Sequence, residues 1–313
     1  MIVRRLGAAI FLSLVCLTLG NGAAHARPKV GLALGGGGSR GAAHVGVLRI
    51  LEQQNIPIDY IAGTNVGAVV GGLYSAGVSL SALQEMFVRK SLMNAYLSIP
   101  IKVKLIAAPV RYIPRLLGRK SYDGLYSGAR LARFLNKYVP QAEQNIEDLK
   151  IPFGAVALNL TTGELKTFRT GNLGAALDAS SAIPVLKKPV KLGDSLYVDG
   201  GVVANLPVEQ VKAMGAELVI AVDLDGKAEK MTEKDFFKIG SVSHRVLTLH
   251  FSKVDEEQVE QADLVLRPEV TGIGLISTAP EDAQEAIAAG ERAALASVDS
   301  IRKLIDGRKP AER

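Results

Sequence analysis

The chain alternates short apolar runs with segments whose apolar residues recur every three to four positions. Predicted strands lie at residues 29–34, 58–62, 151–158, 164–169, 196–198, 218–222 and 263–267. Predicted helices lie at residues 41–54, at a segment ending near residue 76, and at residues 79–90, 173–180, 207–214 and 283–305. Alternation on this scale predicts an α/β fold with a largely parallel sheet that is covered on both faces.

Residues 27–313 are predicted to form a single domain. One large α/β domain or two small ones would fit this length, but we find no fixed-period repeat and no low-complexity linker in the 313 residues, which favours one domain. Hydrophobic residues make up 48% of the chain and charged residues 22%, which excludes a disordered chain. Aromatic residues make up only 5% and tryptophan is absent, so the core must be mostly aliphatic.

Residues 1–26 have the pattern of a secretory signal peptide. Arg4 and Arg5 precede an apolar run at residues 6–19, and Ala-His-Ala at residues 24–26 fits a cleavage site. The alternative is an uncleaved membrane anchor, but the run is shorter than the roughly 20 residues that span a bilayer. The pattern therefore predicts an exported chain, periplasmic or secreted, with membrane association as the alternative.

Removal of this segment changes the chemistry that is available. The single cysteine, Cys16, lies within it, so the remaining chain has no thiol for disulfides, metal thiolates or nucleophilic catalysis. Loss of Arg4 and Arg5 lowers the formal charge from +6 to +4. That mildly basic balance does not indicate nucleic-acid binding.

Residues 86–122 form an unusual stretch that is basic, apolar and irregular. It contains eight lysines and arginines and no Asp or Glu, and aliphatic and tyrosine residues lie between the basic residues up to Tyr122. Such a stretch fits contact with anionic lipid headgroups. The alternative is a long connection that packs on the domain with its lysines in solvent.

The first of three glycine-rich turns follows the strand predicted at residues 29–34. It spells Gly-Gly-Gly-Ser-Arg-Gly at residues 36–41. A dinucleotide site would require an acidic residue at the end of the next strand, whereas Asp59 lies near its start, and Ala42 and Ala43 exclude a phosphate-binding P-loop. The remaining interpretation is a set of unobstructed backbone N–H groups that suits an anion, including the oxyanion of acyl transfer.

The second turn, Gly-Thr-Asn-Val-Gly at residues 63–67, has the spacing of a nucleophile elbow. In Gly-x-Ser-x-Gly the glycines permit a sharp strand-to-helix turn that presents the central side chain. Here the central residue is Asn65. A carboxamide is not a useful acyl nucleophile, so serine-type chemistry is expected to fail in this chain.

The third turn is Asp-Gly-Gly at residues 199–201, directly after a predicted strand. A carboxylate at a strand end can act as the base toward a nearby hydroxyl. Taken alone, however, this sequence is an ordinary turn.

Together the three turns resemble the patatin-like phospholipase family, over about residues 28–300. The order agrees: a glycine-rich loop, an elbow about 25 residues later, and Asp-Gly-Gly far downstream. Arg-Gly-Ala-Ala-His-Val-Gly-Val-Leu at residues 40–48, Leu-Pro at 206–207 and Gly-Ile-Gly at 272–274 add to the resemblance.

The resemblance implies a three-layer α/β/α sandwich in which a serine–aspartate dyad hydrolyses acyl esters of lipids. By position, Asn65 occupies the nucleophile site and Asp199 is the base. The oxyanion-hole amides would come from Gly36, Gly37 and Gly38. The supporting positions are Arg40, Gly41, Gly63, Gly67, Gly200 and Gly201. No metal or organic cofactor is expected, and the expected partner is a lipid or a membrane surface.

Several other residues have side chains that could replace the nucleophile or bind a ligand. Ser39, Ser75 and Ser180 are more simply caps or turn residues than replacement nucleophiles. His44 is expected to make a structural hydrogen bond, and Arg40 either packs or positions an anion. Two functional hypotheses remain: a lipid acyl hydrolase whose nucleophile has been replaced, and a non-catalytic lipid- or partner-binding protein that uses residues 86–122.

Overall fold

A computed structural model of the chain describes residues 27–97, 122–225, 231–237 and 241–307. The predicted signal peptide at residues 1–26 lies outside the described residues, and so does most of the basic stretch, at residues 98–121. Both remain predictions.

Eight strands of the described residues form one sheet. They are β1 (Val30–Leu34), β2 (Tyr60–Thr64), β3 (Phe153–Asn159), β4 (Leu165–Phe168), β5 (Val190–Leu192), β6 (Ser195–Asp199), β7 (Leu218–Val222) and β8 (Leu264–Leu266). The order across the sheet is β5-β6-β3-β2-β1-β7-β8, and β4 also pairs with β3. The neighbouring strands β3, β2, β1, β7 and β8 pair in parallel, in that order across the sheet. The pairs made by β4, β5 and β6 are antiparallel.

The described helices connect these strands. They are α1 (Ala42–Gln53), α2 (Val66–Ser75), α3 (Leu80–Val88), α4 (Ser91–Leu97), α5 (Ala129–Asn136), α6 (Leu173–Ser180), α7 (Val208–Ala213), α8 (Ser241–Gln261), α9 (Pro280–Leu295) and α10 (Val298–Gly307). Short 3₁₀ helices include Gly38–Gly41 and Gly200–Val202, which overlap the first and third glycine-rich turns.

Both faces of the sheet are covered. Alternate residues of β1 belong to different cores: Leu32 packs in the large core with α1, α2 and α9, whereas Ala33 packs in a second core with Val208 and Val211 of α7. Every residue of β1 and β7 is buried, which explains why these strands are continuously apolar. The predicted three-layer α/β/α sandwich is confirmed.

The strand β3 brings the second and third glycine-rich turns together. Ala157 pairs with β4 on one edge and with Asp199 of β6 on the other, and Val156 pairs with β4 and with Thr64 of β2. Strands β2 and β6 therefore share one edge of β3 and approach each other from opposite directions. They end at successive positions of β3, so the residues that follow Thr64 meet Asp199.

The sequence prediction missed or misjudged some elements. The strand β5 and the helices α4, α5 and α8 were not predicted, and the closing helix at residues 283–305 is divided into α9 and α10. The other predicted strands and helices are confirmed within a few residues at their ends.

Two glycines allow α1 and α9 to pack closely. A Cβ atom built on Gly46 would lie 2.0 Å from the backbone oxygen of Ile287, and one built on Gly290 would lie 2.0 Å from that of Ala43. Neither backbone oxygen can rotate away, so any side chain here must push the helices apart.

We expect Gly46→Ala to lower the free energy of unfolding by about 3 kcal/mol, because overpacking outweighs the ~1 kcal/mol that alanine gains over glycine in a helix. Urea denaturation followed by circular dichroism measures the change. Gly307→Ala is the control, since a Cβ there meets nothing within 4 Å. Equal stability of Gly46→Ala and the parent would contradict this packing argument.

Candidate active site

The glycine-rich loop after β1 lies beside Asn65. A Cβ atom on Gly36 would be 3.2 Å from the Cβ of Asn65. The backbone N–H of Gly36 donates to the backbone oxygen of Asn205 at 3.3 Å and to its Oδ1 at 3.2 Å. In the described part of the chain, the amides of Gly37 and Gly38 donate to no protein acceptor. Of the three predicted oxyanion amides, these two are available to a ligand.

The second turn has the backbone of a nucleophile elbow. Asn65 has φ 55° and ψ −123°, a strained conformation that side-chain-bearing residues rarely adopt. Both flanking glycines are required by close approach, since a Cβ on Gly63 would lie 2.5 Å from the backbone of Ala68 and one on Gly67 would lie 2.2 Å from the oxygen of Leu34. The turn thus holds the side chain of residue 65 at the carboxyl end of β2.

Asn65 and Asp199 are in direct contact. The Nδ2 of Asn65 donates a short hydrogen bond to Oδ2 of Asp199, and Oδ1 of Asp199 accepts from the N–H of Gly201 at 2.8 Å. Asp199 is 3% exposed and Asn65 is 7% exposed. Burial raises the pKa of Asp199 to about 6, against the lowering effects of these hydrogen bonds and of Lys187.

The start of the third turn is packed tightly on β3. A Cβ on Gly200 would lie 2.5 Å from the oxygen of Val156, so a larger residue would displace Asp199. Gly201 follows within the same 3₁₀ helix and supplies the N–H that orients the carboxylate.

Two serines at the end of α6 lie against the backbone of residue 65. The N–H of Asn65 donates to Oγ of Ser180 at 3.2 Å. The hydroxyl of Ser181 donates its one proton to the oxygen of Leu177 at 2.7 Å, and its Oγ lies 3.4 Å from the oxygen of Asn65. Thr64 is directed elsewhere, since its Oγ1 donates to the oxygen of Ala204 at 3.0 Å. From the sequence, Ser180 is predicted to be a cap or turn residue. Its contact with Asn65 could not be predicted, because the two residues are far apart in the chain.

Three of the remaining sequence candidates, Ser39, Arg40 and His44, have structural partners, whereas the buried hydroxyl of Ser75 has no hydrogen-bond partner among the described residues. Ser39 Oγ donates to the oxygen of Ser277 at 2.7 Å, and Arg40 Nε donates to the oxygen of Ile273 at 2.7 Å. His44 Nε2 donates to the oxygen of Gly35 at 2.9 Å, and burial lowers its pKa to about 4, so that it is neutral. Gly41 packs against Val66, where a Cβ would lie 2.3 Å from a methyl group.

Asn205 is a buried residue that sequence analysis missed. Its Oδ1 accepts from the N–H of Gly36, while its Nδ2 donates to Asp225 and Asp255 at 2.9 Å each. Arg40 also reaches Asp225, at 3.7 Å. Asn205 therefore links the glycine-rich loop to two carboxylates.

The described residues contain neither a candidate metal site nor a candidate membrane-spanning helix. No group of three or more His, Cys, Asp or Glu side chains is arranged to hold a metal ion. None of the helices in the described ranges has both the length and the apolar character needed to cross a membrane.

Residues 32–212, more than half of the chain, match the family described as patatin-like phospholipase. The chain belongs to this patatin-like phospholipase family. It is 37% identical over 201 residues to an uncharacterized NTE family protein of Mycobacterium tuberculosis (strain H37Rv), covering 64% of this chain and 50% of that protein. It is 34% identical over 210 residues to the lysophospholipase NTE1 of Debaryomyces hansenii, covering 66% of this chain and 12% of that protein.

The chain thus spans about half the length of the mycobacterial relatives it matches and a small part of the fungal one. Among solved structures, VipD from Legionella pneumophila superposes with a TM-score of 0.49 at 14% identity, covering 87% of this chain and 67% of that chain.

Proposed function

We propose that this chain is a lipid acyl hydrolase by descent whose nucleophile has been replaced, so that it is inactive or nearly so as an esterase. One observation carries the proposal: Asn65 lies at the tip of an intact elbow and contacts the carboxylate of Asp199. An amide occupies the position from which a dyad serine would attack.

The chemistry that a serine would perform here follows from the geometry. Asp199 would accept the hydroxyl proton as Oγ attacks the ester carbonyl, and the amides of Gly37 and Gly38 would stabilise the oxyanion. The leaving alcohol takes that proton, and water then hydrolyses the acyl-enzyme. Asn65 cannot begin this sequence, because the lone pair of its amide nitrogen is delocalised and its N–H only donates to Asp199.

The substrate class that we propose is an acyl ester of a phospholipid or lysophospholipid. The support comes from the family and from the fungal relative that is named a lysophospholipase. The test is hydrolysis of a short-chain ester and of lysophospholipid by the chain and by its Asn65→Ser variant, side by side. Turnover by the Asn65 chain equal to that of the serine variant would exclude the proposal.

A second candidate function is binding to an anionic lipid surface without catalysis. It is favoured by an exposed apolar row on α8, where Val242, Val246 and Leu249 share one helical face. Nε2 of His250 in the same helix donates to the oxygen of Val202 at 2.8 Å, which places α8 beside the 3₁₀ helix that follows Asp199. Residues 241–254 contain an arginine, a lysine and no carboxylate, which complements anionic headgroups.

We expect Val242→Ser/Val246→Ser to weaken binding to phosphatidylglycerol vesicles about tenfold, because burying two valines at the interface is worth more than 1.4 kcal/mol. Co-sedimentation measures the partition. Leu160→Ser/Leu295→Ser is the matched control, since these leucines are equally exposed but lie elsewhere. If Val242→Ser/Val246→Ser binds the vesicles as tightly as the parent chain, α8 is not the docking face. An equal loss of binding in both double variants would indicate non-specific adsorption.

A further inference from the structure

A buried ion pair lies behind the candidate active site. Lys187 is 1% exposed and Asp178 is 3% exposed, and Nζ of Lys187 donates a short hydrogen bond to Oδ1 of Asp178. The ammonium also lies 4.7 Å from the centre of the Tyr96 ring, within the range of a cation–π contact. A lysine buried to this extent is costly, and a hydrophobic pair of similar volume often serves stability better. Stability alone therefore does not explain it.

The segment between Asp178 and Lys187 holds the backbones of Asn65 and Asp199 by hydrogen bonds. Between Asp178 and Lys187, Ser180 accepts the N–H of Asn65, and the oxygen of Ala182 accepts the N–H of Asp199 at 3.0 Å. The Tyr96 hydroxyl adds a hydrogen bond to the oxygen of Ser181 at 2.9 Å. The ion pair thus joins the two ends of segment 178–187, which positions residues 65 and 199.

The charge of Lys187 also acts on Asp199. Burial is the largest influence on this carboxyl and raises its pKa, while the Gly201 N–H, the Asn65 amide and the Lys187 ammonium lower it. Among these described groups, Lys187 alone carries a full positive charge. Burial lowers the pKa of Lys187 itself, and the charge and hydrogen bond of Asp178 oppose this effect. Tyr96 stays a neutral phenol, because burial and both aspartates raise its pKa.

We propose that Lys187 is a positioning residue of this site: through its buried ion pair with Asp178, covered by Tyr96, it fixes the segment whose Ser180 hydroxyl and Ala182 carbonyl hold the backbones of residues 65 and 199. The consequence for turnover rests on the proposed function, whereas the effect on Asp199 does not.

The first test uses the chain as it stands, with Asn65 in place. Aspartate labelled at the carboxyl carbon is titrated by NMR, with Asp199→Asn to assign the signal. In Lys187→Met/Asp178→Asn, which leaves no unpaired buried charge, we expect the midpoint of Asp199 to rise by about one pH unit or more. Lys191→Met is the control, because it removes a lysine charge from an exposed position of β5 and is expected to leave the midpoint unchanged.

An unchanged midpoint in a folded double variant, judged by its circular dichroism and melting temperature, would overturn the proposal. If the double variant does not fold, the nitrogen-15 signal of Lys187 in the parent chain decides. We expect an ammonium signal throughout the titration of Asp199, and a neutral amine in that range would refute the proposed role.

The second test repeats the variants in the Asn65→Ser background. We expect the acid limb of the kcat–pH profile to move upward by the same amount as the NMR midpoint. If Asn65→Ser is inactive while the NMR midpoint still moves, the proposed function fails and the role of Lys187 stands. If Asn65→Ser is active and neither the limb nor the midpoint moves, the role of Lys187 fails and the proposed function stands.

Discussion

Asn65→Ser is expected to raise kcat for ester hydrolysis by at least about 10³-fold over the chain as it stands. Loss of a serine nucleophile costs about 10⁶ in kcat when the rest of the machinery is intact, so restoring it recovers a large part of that factor. The groups on which this expectation rests are the strained elbow at residue 65, the buried carboxyl of Asp199, and the amides of Gly37 and Gly38, which donate to no acceptor among the described residues. Initial rates on a short-chain ester measure the gain.

Full recovery is not expected, for a geometric reason. The hydroxyl of serine is one bond from Cβ, whereas the Nδ2 that now contacts Asp199 is two bonds away. The carboxylate must follow the shorter side chain, and it is held by Gly201 at 2.8 Å. Part of the 10⁶-fold factor is therefore lost to imperfect alignment.

Two variants make the prediction specific. Asn65→Ser/Asp199→Ala is expected to return to the rate of the parent, because the base is removed, and Asn65→Ala is expected to stay inert. Activity in either variant that matches Asn65→Ser would exclude the dyad and place the hydrolysis elsewhere in the chain.

The pH profile of Asn65→Ser should show a single acid limb with its midpoint near pH 6. Burial holds the pKa of Asp199 at about 6, and only the carboxylate form can accept the serine proton. Activity is therefore low below the midpoint and rises to a plateau above it. A midpoint near the usual value for aspartate would show that Asp199 is solvated or is not the base.

The sequence was most informative where the chemistry is local. Each glycine-rich turn is a run of a few residues, and the identities of residues 65 and 199 can be read within such runs. The contact between them was accessible only through the family resemblance, because it depends on which edge of β3 receives β6. Nothing in strand composition determines that choice.

The residues that support the site left weaker signals in the sequence. Asp178 lies in α6 and Lys187 follows nine positions later, beyond the end of that helix, and their burial follows from the packing of α4 and α6 around them. The helix α8 was missed because two of its inward positions, Asp255 and Gln258, are polar and buried. These residues interrupt the apolar periodicity that marks an amphipathic helix. The three-residue strand β5 is too short to show any alternation.

The second large effect is expected for Asn205, which joins the glycine-rich loop to a pair of buried carboxylates. Asn205→Leu keeps much of the volume but leaves Asp225 and Asp255 without their amide donor. Each lost hydrogen bond to a charged group is worth about 1.5–3 kcal/mol. We therefore expect the free energy of unfolding to fall by about 3 kcal/mol or more at pH 8. In the Asn65→Ser background, kcat should also fall, because the Gly36 N–H loses its Oδ1 acceptor and the glycine-rich loop is held only by the backbone oxygen of residue 205.

The pH dependence of that loss separates it from a simple packing defect. Burial raises the pKa of Asp255 to about 7 and that of Asp225 to about 6, so in the folded chain these groups are largely protonated at pH 5. A raised carboxyl pKa means that stability falls as pH rises from the unfolded value of about 4 toward the folded value, and is then constant. Removing the amide donor raises the folded values further and extends this fall upward. The penalty of Asn205→Leu should accordingly be small at pH 5 and largest at pH 8. Asn145→Leu is the matched control, because its amide donates to the exposed Asp148 and its removal should cost little at either pH. An equal penalty for Asn205→Leu at both pH values would show that the two carboxylates play no part in holding the loop.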